Sequence, residues 1–471
     1  MRRFLIIPIL VGTMALTSCN KWLEVKPSDR VTEDNTFSTP QTFKKALNGI
    51  YIELNKDEVY GKALSCEYID ILAQYYPINQ ESTSNKELAQ YNFTSAGNMA
   101  RAEKIWGTQY NLIANTNLII RNSEKRREVL SDDYYALIKG EALALRAMLH
   151  FDLFRLFGPV YTKENTEARL PYYTDYVLDV NPTLPSNEFL AQVISDLKDA
   201  LELLKEDPII QYGPAGDKSD SFKQYRTLRL NYYAVKALLA RVYLYAKENT
   251  LALELAKEVM GVQEKWFPWV KPEVASANRV FSSELLFSLQ NNKVNNNFTS
   301  LFDGKNVQAT NLLIPKEYVV LQLFNYQRHD YRYLANLQNS VLIGSNNHKV
   351  FSKYEKISDS LENQLIPMIR MSEVFYIAAE TEPVLTEGLK HLNKVRNNRG
   401  IASSSSDRFY FPDQLLTSEY TREFWGEGQL FYFFKRRNVK EIQDPHDEWS
   451  KVSMKNANYV VPIPEGETKY N

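Results

Sequence analysis

The side chains able to do chemistry are few and scattered. Five histidines, His150, His329, His348, His391 and His446, are spread over 471 residues. No two stand three or four apart, the spacing that puts two imidazoles on one helix face as metal ligands. No Gly-x-Ser-x-Gly elbow and no glycine-rich phosphate loop occurs, so those frameworks for nucleophilic or phosphate chemistry are absent. Carboxylates are plentiful, 57 Asp and Glu. A glycosidase needs two of them a few ångströms apart in space, and nothing in the pattern selects a pair. No catalytic residue, metal or cofactor is therefore assigned.

Binding chemistry is better represented. The chain has 30 Tyr, 23 Phe and 6 Trp. Sugars present apolar C–H faces and rings of hydroxyls; a flat aromatic ring stacks on the first, and Asn, Gln and Arg bond the second. Aromatics beside amide-rich loops are thus the candidate ligand contacts. Tyr75, Tyr76 and Tyr91 border a loop rich in Asn, Gln and Ser over 77–98. Phe298 follows the asparagine run Asn291–Asn297, and Trp266 and Trp269 flank Pro268. Each of the six also reads as core packing, since aromatic rings supply large apolar area.

The formal net charge is -1, with both signs spread throughout; a nucleic-acid partner would need a basic face. Arg2 and Arg3 precede the apolar run Phe4–Leu16, which is too short to span a bilayer as a helix. It ends in Leu16-Thr17-Ser18-Cys19, which resembles a bacterial lipobox. Cleavage before Cys19 and acylation there would give a lasting membrane anchor, because more than one acyl chain is attached. Cys66 is then the sole remaining cysteine, which leaves no disulfide framework and reads as a small buried apolar residue.

Helices must position these groups. Ser38-Thr39-Pro40 opens one, with Ser38 as cap and Pro40 in the first turn. A second helical pattern runs from about Val59 to Tyr75, and long ones follow through Trp106–Ile120 and Ser131–Phe157, the latter stopped by Gly158-Pro159. Ser186 is placed as the cap of the next. Leu228–Met260 and Pro367–Gly400 each read as two helices around a short turn. In the first pair Ala234, Ala237 and Ala240 answer Ala252 and Ala256, small residues that permit close approach. In the second, Thr386 is placed as an N-cap and Gly400 as the terminator. A stripe of Arg370, Glu373 and Glu380 is closed by Arg396 and Arg399; it reads either as structural ion pairs or as a ligand clamp. Over 263–365 the runs "SSELLFSLQNN" and "VLIG…HKVFSKYE" are strand-like.

Several segments carry a resemblance. The string "IRMSEVFYIAAE…HLNKVRNNRG", the stretch "SEYTREFWGEGQLFYFFKRRNV" and the tail "YVVPIPEGETKYN" resemble, in order and spacing, C-terminal segments of the SusD/RagB family. "CNKWLEVKPSDRVTEDNTFSTPQTFKKALNGIY", "GEALALRAMLHFDLFRLFGPV" and the pair Asp330 and Arg332 are similar to further family segments. Two departures mark a divergent member. Gln429 stands where the family usually has Arg after Glu-Gly, and the tail lacks the usual Asn-Pro-Gly-Tyr run.

The resemblance implies a mainly α fold, tetratricopeptide-like helix pairs wound into a right-handed superhelical scaffold, with an irregular loop-rich region carrying a few short strands. The expected organisation is a signal peptide over 1–18, a tether over 19–36 after lipidated Cys19, and one domain over 37–471. Within it the helical repeat core covers 37–262 and 367–400, the loop-rich region 263–366 and the C-terminal segment 401–471. The resemblance also implies a Bacteroidetes outer-membrane lipoprotein, facing the cell surface. It would bind an oligosaccharide or polysaccharide nutrient and pass it to a SusC-like TonB-dependent transporter. A peptide-binding member of the family and an exported polysaccharide-degrading enzyme are the alternatives. No nucleic acid is expected as partner.

Overall fold

The computed structural model describes residues 33–78, 83–165, 167–176, 180–305, 312–341, 347–404 and 413–468. Cys19 and the tether up to residue 32 lie outside the described residues. The helices that organise the chain are α1 (Pro40–Glu53), α2 (Tyr68–Leu72), α3 (Ala96–Lys125), α4 (Asp132–Phe157), α5 (Ser186–Leu203), α6 (Tyr232–Tyr245), α7 (Asn249–Met260), α8 (Glu317–Leu323), α9 (Met371–Thr381), α10 (Leu385–Asn397), α11 (Asp413–Glu423) and α12 (Leu430–Arg437). Helices α3 to α7, then α9 and α10, each pack on the next. That is the stacking of a tetratricopeptide-like superhelix, in which a helix pair buries its apolar face against its neighbour. One continuous apolar core runs from Phe37 to Val461. Among the described residues no helix is long and apolar enough to cross a membrane.

Local chemistry explains the main elements. α4 is buried nearly all round from Leu137 onward, the pattern of a central helix. Asp132 and Asp133 sit in its first turn and Arg155 in its last, which suits the helix dipole, and Gly158 follows its end. The alanines of α6 and α7 are all buried. α1 is closed by Thr39, whose side chain accepts from the Thr42 amide while Thr42 answers the Thr39 amide. The cap is thus Thr39 rather than Ser38, because only Thr39 stands three residues before a hydroxyl partner.

Other expectations are corrected. The Val59–Tyr75 helix is reduced to α2: residues 54–67 form successive turns, where a Cβ on Gly61 would meet the Asn55 carbonyl oxygen at 2.0 Å. The 77–98 loop contains a short helix, Ser84–Ala89. Ser186 and Thr386 are not caps; Pro185 and Val384 hold those positions. The helical unit expected from Pro367 begins at Met371. Leu365–Arg370 is instead β6, antiparallel to β3 (Leu285–Gln290). Three further antiparallel pairs are formed: β1 (Ala168–Pro171) with β2 (Thr183–Pro185), β4 (Leu337–Val341) with β5 (Asn347–Phe351), and β7 (Glu441–Gln443) with β8 (Lys451–Ser453). Gly400 has φ of 75° and terminates the α10 unit as expected.

The polar stripe is structural. Glu373 takes two bonds from Arg241, at 2.5 and 2.6 Å, and Glu380 binds Arg436 and Arg437. Arg396 reaches Glu419 at 2.6 Å. Arg399 holds Glu284 through both carboxylate oxygens and shares Glu423 with Arg370 and Arg332. Asp330 caps the Tyr331–Asn336 helix and pairs with Arg332. Every charge in the stripe is spent on another element, so the ligand-clamp reading falls. Burial pushes the Glu423 carboxyl up, but Arg399, Arg370 and Arg332 hold it well below the usual carboxylate range. Glu419 is likewise raised by burial and pulled down to about 2 by Arg332, Arg422 and Arg396. Buried charges persist only when paired in this way.

Candidate functional site

A cleft of about 790 Å³ lies where five segments meet. They are Ala73–Tyr75 after α2, Pro315–Asn325 around α8, the outer face of α11, part of α12, and the β7–β8 hairpin. α11 shows how the sequence divides the labour. Gln414, Thr417, Ser418 and Thr421 recur at helical spacing and line the cleft. Leu416, Glu419, Tyr420 and Glu423 point inward and are buried. The Arg422 guanidinium joins the two walls: its Nε donates to the Leu323 carbonyl at 2.7 Å.

An aromatic stack forms the floor. The Tyr75 and Trp425 rings lie 4.7 Å apart at 14°, and Phe351 continues the stack beneath Trp425 at 5.5 Å and 13°. Tyr75 donates its hydroxyl to the Thr421 carbonyl at 2.7 Å. Trp425 Nε1 donates to the Tyr76 hydroxyl at 2.7 Å. The floor is tight: Tyr75 is 6% and Trp425 3% exposed. The walls mix amides and hydroxyls (Gln74, Gln322, Asn325, Gln414 and Thr421) with apolar side chains such as Val319, Leu323, Val439 and Ile442 and the charged Arg437, Glu441 and Lys451.

The turn after Trp425 sets the floor. Gly426 and Gly428 have φ of 77° and 64°, a region that glycine enters without penalty. A Cβ at Gly428 would lie 1.9 Å from the Leu64 carbonyl oxygen. Lys353 Nζ donates to the Trp425 carbonyl and to Glu427, and Tyr354 donates to the Gly426 carbonyl. Asp70 accepts the Gly426 amide at 2.8 Å. Burial drives the Asp70 carboxyl well above its ordinary range, against the Gly426 amide and Lys353. Gln429, next in line, accepts from Arg155 at 2.8 Å; an arginine in its place would face a like charge.

Of the six aromatics named from sequence, the structure brings Tyr75, Tyr76 and Tyr91 into one neighbourhood. Tyr75 lines the cleft; Tyr76 is buried behind Trp425. Tyr91 is half-buried, donates to the Leu72 carbonyl and accepts from Gln74, bracing the wall. The other three lie elsewhere. Trp266 packs against Gly213 beneath Lys265. Trp269 lies on Phe375, 5.2 Å away, under Arg399. Phe298 is buried and does not line the cleft. Trp425 and the polar face of α11 were not singled out from sequence, although the 3–4 spacing of Gln414, Thr417, Ser418 and Thr421 carried the signal. Among the described residues no three His, Cys, Asp or Glu are grouped to hold a metal. Cys66 is buried and its thiol is pushed up by that burial.

Fold and cleft together define a helical-repeat scaffold with a binding cleft walled by its C-terminal segments. Comparison with known proteins identifies which scaffold. Residues 21–244 match a SusD-like family described as starch-binding associating with outer membrane, and residues 289–471 match the SusD family. The chain belongs to the SusD/RagB family. A SusD superfamily protein from Bacteroides thetaiotaomicron superposes with a TM-score of 0.72 at 23% identity, over 92% of this chain and 98% of that one. A putative sugar binding protein from Bacteroides vulgatus gives 0.71 at 22% identity, over 92% and 97%. SusD-like protein P25 of Formosa agariphila is 20% identical over 80% of this chain and 78% of its own length. SusD-like protein P38 of the same organism is 30% identical, but that match spans 41% of this chain and only 35% of the relative.

Proposed function

We propose that this chain is a lipid-anchored, surface-facing outer-membrane protein that binds an oligosaccharide or polysaccharide in the 790 Å³ cleft and delivers it to a SusC-like TonB-dependent transporter. The observation that carries the reading is the cleft's chemistry. Amides and hydroxyls alternate with apolar side chains above an aromatic floor, with Arg437, Glu441 and Lys451 as the charged groups among the described lining residues, which suits a ligand of apolar C–H faces and many hydroxyls. Glu441 is the sole carboxylate among the described lining residues, whereas glycoside hydrolysis calls for two; this favours binding over cleavage. Starch binding and outer-membrane association in the matched family's description, and sugar binding in the name of one structural neighbour, agree. Of the six aromatics, Tyr75 is the proposed contact. Membrane attachment rests on the lipobox-like run before Cys19, and the transporter on family membership.

The test is mobility of the mature chain lacking Cys19 in native gels containing soluble polysaccharides, followed by calorimetry. Retardation without shortening of the polymer is expected. Gln322→Ala should weaken binding about fivefold, the worth of one neutral hydrogen bond near 1 kcal/mol. New reducing ends would replace this reading with the enzyme, and binding of peptides in place of glycans with the peptide-binding alternative.

A further inference from the structure

Among the described residues Trp449 is the large apolar side chain left furthest in solvent, 81% exposed. It sits at the tip of the β7–β8 hairpin, and the tip is built to hold it. Gln443 Nε2 lies within bonding distance of the carbonyls of Asp444, Asp447, Glu448 and Ser450, at 2.9 to 3.3 Å. Asp447 accepts from the Trp449 amide at 3.0 Å and from the Ser450 hydroxyl at 2.7 Å. Asp444 accepts from the His446 amide at 2.7 Å. The His446 carbonyl is in turn clasped by Lys316 at 2.8 Å and Tyr318 at 2.5 Å, from the wall on the other side of the cleft. An exposed tryptophan on a mobile loop would need no explanation. One whose backbone amide, turn carbonyls and flanking wall are all tied is pre-organised for contact.

The surroundings say what kind. Gln443 and Lys451, at the two ends of the tip, both line the cleft. Lys451 stands two residues from Trp449, so their Cα atoms are within about 7 Å. The tip otherwise carries Asp444, His446, Asp447, Glu448 and Ser450, with Pro445 buried. Beside the indole the exposed Tyr318 spends its hydroxyl on the His446 carbonyl, and the two rings fall short of the wide apolar patch that a membrane or a protein hot spot would require. Carboxylates beside a bare indole suit a sugar ring, whose C–H face stacks while its hydroxyls donate.

We propose that Trp449 is an outer stacking platform for the glycan chain that enters the cleft, so that the protein takes polymers or long oligosaccharides that run past the cleft rim. This rests on the glycan-binding reading above. The test compares wild type, Trp449→Ala and Trp449→Phe in native gels with amylopectin, mixed-linkage β-glucan, xylan and galactomannan, and by calorimetry with the hexasaccharide of whichever polymer retards the wild type. Trp449→Ala should bind that polymer at least fivefold more weakly, keep its hexasaccharide affinity, and be restored to within about twofold by Phe. Equal polymer affinity in Trp449→Ala overturns the proposal, as does a loss shared equally by polymer and hexasaccharide. Gln322→Ala serves as the control for the cleft itself, weakening both ligands. A wild type retarded by none of the polymers overturns both readings together.

Discussion

Replacing Glu423 with Gln tests whether the buried charge network holds the cleft together. Glu423 accepts four bonds: from Arg399 Nη2 at 2.5 Å and Nε at 3.1 Å, Arg370 at 2.9 Å and Arg332 at 3.0 Å. All four residues are buried. A glutamine keeps the shape but turns one acceptor into a donor aimed at guanidinium N–H groups, and removes the charge that three arginines share. Each arginine keeps a partner: Glu284 for Arg399, Asp330 and Glu419 for Arg332, Glu427 for Arg370. The loss should therefore fall in the range for breaking one buried pair, about 3–5 kcal/mol, a large share of a typical domain's stability. Urea unfolding at pH 7, followed by tryptophan fluorescence and circular dichroism, measures it. Adding Arg399→Met to Glu423→Gln should deepen the loss, because it strands the buried Glu284 that Arg399 holds through both carboxylate oxygens. A Glu423→Gln protein within about 1 kcal/mol of wild type would refute the reasoning, since the arginines would then be satisfied without it.

Gly428→Ala places a Cβ 1.9 Å from the Leu64 carbonyl oxygen at a φ of 64°; beyond the roughly 1–2 kcal/mol of a left-handed alanine, the turn must move. Lower thermal stability and a shifted Trp425 fluorescence are expected, checked by melting and emission spectra. Stability should begin to fall below about pH 6.5, where the unfolded chain protonates His150 while burial holds the folded ring down to about 3, and should fall further from about 4.5 toward pH 2. Glu419 titrates near 2 when folded against a usual 4.5, so on acidification the unfolded chain takes up the proton first. That single group accounts for about 3 kcal/mol, readable from urea midpoints between pH 2 and 7. Cys19→Ala should move the protein from the membrane to the soluble fraction on fractionation of the expressing cells.

The helix pairs were legible because their apolar residues recur at 3.6-residue spacing and their contact points are alanines. Of the local readings that went astray, two show the physical reason plainly. Leu365–Arg370 is a short apolar run, which periodicity assigns equally to strand or helix, and only pairing with Leu285–Gln290 decides it. Val59–Tyr75 has apolar residues at helical intervals, but its turns fold back so closely at Gly61 that no continuous helix fits and only Tyr68–Leu72 is helical. The cleft was less legible still. Its walls come from segments as far apart as Ala73 and Lys451, and no local pattern announces which distant segments will meet.

The polarity of α11 explains why its role in particular was hidden. In a surface helix the charged face is ordinarily the wet one. Here Glu419 and Glu423 face the core, where five arginines neutralise them (Arg332, Arg370, Arg396, Arg399 and Arg422), and the uncharged Gln414, Thr417, Ser418 and Thr421 face the cleft. Fixing strong charges inside on rigid partners leaves the open face to neutral donors and acceptors. Those neutral groups are held in place by a helix anchored through its other side, so little ordering remains to be done when a ligand arrives. The same anchoring reaches the floor: Glu427 binds Arg370 and Lys353, and Lys353 bonds the Trp425 carbonyl. The inversion that misleads a reading of α11 by pattern is thus the arrangement by which a charged interior holds a rigid, uncharged helix face toward the cleft.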